Sequence, residues 1–180
     1  MVNRSHIWAL GLVALAGLSA WTIMDMRGFH AALRDLHEFE PQFRERAAEE
    51  AADHALFAQC HAALSTPQGV ECLVDAWPKV QSIPGIYSLA ALTQEVMRQQ
   101  PEAADRLRGL AGEGIQFGRT VLKPRNAPLN QATSAANRAQ RESLIFRFHA
   151  SEEDRKRWSR DSAALEDQIL AYAEHAVRGG

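Results

Sequence analysis

The chain has 180 residues, with 20 Lys and Arg against 22 Asp and Glu, and so a formal net charge of −2. That balance excludes a general polyanion binder. A hydrophobic share of 46% and a charged share of 23% exclude collagen-like, disulfide-dense and wholly disordered chains. The expected fold is all-α: a single N-terminal transmembrane helix within residues 1–26, then a multi-helix extramembrane domain over 27–180 containing a helical hairpin closed by a disulfide.

No formally charged side chain occurs from Ser5 to Met24, and Ile7–Met24 is almost wholly apolar. At 1.5 Å per residue, about twenty such positions span roughly 30 Å, the thickness of a bilayer's hydrocarbon core. Trp8 and Trp21 stand near the two ends of the run and are the expected membrane-interface residues, because amphipathic rings sit at the headgroup level. A cleavable signal peptide competes, with Arg4 as its positive region and Leu10–Leu18 as its apolar stretch. Cleavage after Ala20 would place bulky Leu18 at position −3; cleavage after Ser19 fits better, with Gly17 there. A buried core helix is the third possibility.

Flanking charge points both ways. Arg4 precedes the run, and Arg27, Arg34 and Arg44 follow it, so a literal count of cations places the C-terminal side in the cytoplasm. A short charged tail before an apolar run is also the form of an uncleaved signal anchor, which would export everything after Met24. The cysteines favour export. Cys60 and Cys72 flank the turn signal Ser65-Thr66-Pro67-Gln68-Gly69 almost symmetrically, and positions equidistant from the turn of an antiparallel helical hairpin face one another. A bond closing that short loop would contribute about 3 kcal/mol on the chain-entropy model and would persist only in an oxidising compartment. The alternative is two buried thiols in a reduced cell.

Beyond the apolar run, Ala, Leu, Glu, Gln and Arg dominate, and no stretch alternates β-branched residues, so helix follows helix. Met26, Phe29, Leu33, Leu36, Phe43, Ala47, Phe57 and Leu64 keep a three-four spacing, with Pro41 bending or restarting that helix. Pro78 ends a short helix around Val70–Trp77. Ser82, with Pro84 behind it, caps the next, Ile86–Gln99. Pro101-Glu102 opens another helix, which Gly109, Gly112, Gly114 and Gly118 are expected to dissolve. Residues 117–130, with Pro124 and Pro128, are expected to form an extended connector. Helices resume over about 131–148 and, after Ser151, through Trp158 to Ala176.

No motif names a reaction. Gly112-Glu113-Gly114 with Gly118 has one residue too many for a dinucleotide fingerprint and follows a helix rather than a strand. His37-Glu38 lacks the second His of a zinc-protease helix. His30 and His37, and likewise His54 and His61, are seven apart, two turns or roughly 10 Å along a helix, too far for one pair to chelate a single ion. No catalytic residue, cofactor or metal site is therefore assigned.

Charge is unevenly distributed: residues 25–97 carry net −6, residues 98–160 net +6 and residues 161–180 net −3. Arg119, Lys123 and Arg125 in the expected connector are the expected partner-binding residues; the competing outcome is that the basic stretch folds back on the protein's own acidic half. Nucleic acid is not an expected partner. Together these features predict a non-enzymatic, single-pass protein of the inner membrane whose periplasmic helical domain is an accessory or structural subunit of a larger envelope complex. The runner-up is a membrane-anchored binding or chaperone-like module for a small ligand, metal or client protein.

Overall fold

The structure, a computed structural model, describes residues 19, 23–24, 26–143, 151–153 and 161–178. Their regular secondary structure is all helical, with no strand among them. Helix α1 covers 26–38 and Phe39 forms a turn. Then come α2 (Glu40–Ala62), α3 (Gln68–Ala76), a 3-10 turn (Trp77–Lys79), α4 (Ile83–Gln99), a second 3-10 turn (Pro101–Ala103), α5 (Ala104–Phe117), a π turn (Gly118–Leu122), α6 (Lys123–Glu142) and α7 (Ser162–Arg178). Two compact units are distinguished, one of residues 1–38 with 132–160, the other of 39–131 with 161–180.

The local signals act where they fall in the sequence. Pro41 sits in the first turn of α2, where its missing N–H has no helical partner to lose, and the helix restarts there. Ser82 caps α4: its Oγ accepts from the Gly85 backbone N–H at 3.0 Å. Asp161 does the same for α7, accepting from the Ala163 N–H at 2.9 Å.

Helix α4 is the axis of the second unit and packs against α2, α3, α5 and α7. Its Ile83, Ile86, Leu89, Leu92 and Val96 are buried, at about 1.5–3 kcal/mol each for side chains of that size. Trp77 closes one end of this core and donates its indole N–H to Thr93 Oγ1 at 3.0 Å, so the buried nitrogen is satisfied.

The helical hairpin is present and is covalently closed. Cys60 at the end of α2 is bonded to Cys72 in α3, with their Cα atoms 5.4 Å apart. The turn between them requires a residue without a side chain at position 69, because a Cβ there would lie 2.9 Å from the Ala63 carbonyl oxygen.

Residues 117–130 are not an extended connector. The glycines do not dissolve α5, and the chain continues from α5 through the π turn into α6. Gly114 and Gly118 are there for packing: a Cβ at Gly114 would overlap the Trp77 ring, and one at Gly118 would stand 2.6 Å from Ile86 Cδ1 and 2.8 Å from Leu170 Cδ2. Close approach of these neighbours holds the helix where intrinsic propensity is poor. The π turn widens the helix just ahead of Pro124, where the ring would otherwise strike the Thr120 carbonyl. Pro124 and Pro128 both lie on the exposed side, within reach of water, while Leu122 and Leu129 are buried beneath them.

Among the described residues no helix is long and apolar enough to cross a membrane. The run Ile7–Met24, with Trp8 and Trp21, lies outside the described residues except for Ser19, Ile23 and Met24.

Candidate functional site

Three features of the second unit have chemical potential: a row of ion pairs, a buried polar cluster and an apolar groove. The ion pairs involve the three cations picked out from the sequence. Arg119 pairs with Glu174 and Lys123 with Asp167, both acids on α7. Arg125 grips Glu49 of α2 with two hydrogen bonds of 2.8 and 2.6 Å and also donates to the Gln81 carbonyl at 3.2 Å. The basic stretch thus folds back on the protein's own acidic helices, the competing outcome foreseen from the charge distribution. All three side chains remain partly exposed, so solvent screens these pairs and they act more on the register of the helices than on stability. Glu174 is shared between Arg119 and Arg178. The hydrogen bond from Arg119 holds its carboxyl below the usual carboxylate range; partial burial opposes that, and the charges of Arg119 and Arg178 reinforce it.

The buried cluster joins α2, α6 and α7. Glu166 is 2% exposed. Its Oε1 accepts from Asn126 Nδ2 at 3.0 Å and pairs with Arg46 Nη2 at 3.2 Å. Arg46 also donates to Asn130 Oδ1 at 3.1 Å and to Glu50 Oε1 at 3.2 Å. Glu166 Oε2 has no hydrogen-bond partner among the described residues; an acceptor so placed suits a water or another small donor. A second buried acid, Asp53, is fully engaged. It accepts from the Gln81 N–H at 3.1 Å, the Ser82 N–H at 2.8 Å and the Ser82 hydroxyl at 2.7 Å. Asp53 therefore anchors the start of α4 to α2 and is structural.

Sequence reasoning missed both acids, although a signal was present. Glu166 occupies the helical face of Leu170, Ala173 and Val177, where an apolar residue is the default.

The groove lies between the 3-10 turn and α5. Trp77, Pro78, Val80, Leu110, Glu113 and Phe117 line about 210 Å³. Phe117 is 38% exposed and Val121, one turn on, 46%. Together they continue an apolar ridge along the outer side of the helix. Among the described residues, no group of three or more His, Cys, Asp or Glu is placed to hold a metal ion.

The class defined by this geometry is an all-α domain with a disulfide-closed helical hairpin packed on a central helix. No family model, curated protein or solved structure matches the chain.

Proposed function

We propose that the protein is a non-enzymatic, single-pass protein of the inner membrane whose helical domain faces the periplasm or extracytoplasmic side and acts as an accessory or structural subunit of a larger membrane or envelope complex. Ile7–Met24 is the proposed anchor, with Trp8 and Trp21 at the two interfaces; its support is the length and apolarity of the run. The Cys60–Cys72 bond supports the oxidising side.

The observation that carries the contact role is the exposed ridge of Phe117 and Val121 beside the Trp77 groove. An apolar ridge next to an apolar cleft is the usual form of a docking face, in which aromatic anchors supply the energy. Arg119, Lys123 and Arg125 extend the proposed surface by exchanging their internal carboxylates for a partner's, where charge complementarity sets register.

Changing Phe117 and Val121 together to Asp tests this. Detergent-solubilised membranes are resolved under native conditions and the protein is followed by its migration. The wild type is expected in a high-mass species, and the double variant as the free subunit with unchanged helicity and melting. Co-migration of the variant with the high-mass species refutes the contact role.

A further inference from the structure

A second cleft, between α5 and α7, has the opposite character. Arg108, Arg119 and Arg178 converge on about 170 Å³ of space whose apolar wall is Ile115 and Val177. Gly112 forms its open side: a Cβ there would meet nothing within 4 Å. We propose that this cleft binds a small free carboxylate carrying a short branched apolar body.

Charge supports the choice of ligand. Among the described residues of the cluster, three guanidiniums face two carboxylates, Glu174 shared by Arg119 and Arg178, and Asp105 on Arg108 at 3.2 Å. One positive charge is left for a monoanion. Donors are also in surplus. Glu174 meets Nη2 of Arg119 and Nη2 of Arg178, and Asp105 meets Nη1 of Arg108, whereas each guanidinium carries five N–H groups in a planar fork suited to a carboxylate. Glu174 itself shows that Arg119 and Arg178 can hold one carboxylate jointly.

Size limits the rest of the ligand. The volume equals about six waters at roughly 30 Å³ each, enough for a branched body of a few carbons against Ile115 and Val177. The cleft shares Arg119 with the proposed docking surface but requires neither membrane attachment nor the Phe117 ridge, and heat of ligand binding to the free chain is read separately from migration of a complex, so either can fail without the other.

The probe is 3-methylbutanoate, titrated calorimetrically into the full chain, with 3-methylbutanamide as its uncharged counterpart. The acid is expected to bind saturably and the amide at least about tenfold more weakly, since a charge-assisted hydrogen bond is worth that much. Gly112→Leu fills the cleft from its open side and should abolish binding with melting raised rather than lowered, since the site is open helix. Arg108→Gln combined with Arg178→Gln should weaken binding at least about tenfold. A peptide ending in Leu with a free carboxylate serves as the rival ligand. The proposal is overturned if acid and amide bind alike, if Gly112→Leu retains wild-type affinity, if the acid gives no saturable heat in the millimolar range, or if only the peptide binds.

Discussion

Replacing single glycines of one helix by alanine should have opposite effects at different positions. Gly109, Gly114 and Gly118 all lie between Ala104 and Leu122 in helical backbone. In an open helical site Gly→Ala gains about 0.8–1 kcal/mol from propensity alone. A Cβ at Gly109 meets nothing within 4 Å, so the full gain is expected there. At Gly118 the new methyl would stand 2.6 Å from Ile86 Cδ1 and 2.8 Å from Leu170 Cδ2, and both side chains are at most 1% exposed, with nowhere to retreat. Overpacking of this kind costs about 1–3 kcal/mol, which outweighs the gain and leaves a net loss of up to about 2 kcal/mol. Gly114→Ala should cost at least as much, because it drives into the Trp77 ring, which is pinned by its hydrogen bond to Thr93. Urea denaturation followed by circular dichroism measures all three. For a chain of this size 1 kcal/mol corresponds to about 2–4 °C in melting temperature, so scanning calorimetry gives an independent check. If Gly118→Ala proves as stabilising as Gly109→Ala, close packing of α5 on Ile86 and Leu170 is not what holds this segment in place.

Two further outcomes follow from covalent and electrostatic features. Replacing Cys60 and Cys72 together by Ser should lower stability by about 3 kcal/mol, the chain-entropy estimate for so short a loop. Two reactive thiols in unfolded, unreduced protein blocked at lysis would refute the bond. The lowered pKa of Glu174 means that its ion pairs contribute fully above its unfolded value of about 4.5 and are lost as pH falls below that through the folded value. The stability difference between wild type and Glu174→Gln should therefore be constant near neutral pH and shrink in acid; melting curves against pH check this, and a difference that persists undiminished in acid refutes it.

Local chemistry was legible in the sequence. The all-helical class follows from composition, the α4 start from Ser82 and Pro84, the α2 restart from Pro41, and the Cys60–Cys72 pairing from symmetry about a Pro-Gly turn. Each is decided by composition or by residues no more than a dozen positions apart, so the chain need not be folded for the signal to exist. Gly118, Pro124 and Pro128 show where that reasoning stops. They are helix breakers by propensity, yet Ile86 and Leu170, distant in sequence, require a residue without a side chain at 118, and the π turn relieves the proline that follows. Asp53 and Glu166 make the same point for the interior. The helical face that Glu166 shares with Leu170, Ala173 and Val177 hints at its burial, but the partners that make either acid's burial tolerable, Ser82 for one and Arg46 with Asn126 for the other, arrive only when separate helices pack. Arg119, Lys123 and Arg125 were visible as a basic cluster, but the acids that meet them lie 44 to 76 positions away in the sequence. Sequence alone determined the all-helical class and which residues carry charge; the tertiary structure decided that residues 117–130 stay helical and which partner each side chain meets, because close packing, burial and ion pairing depend on distances that only folding creates.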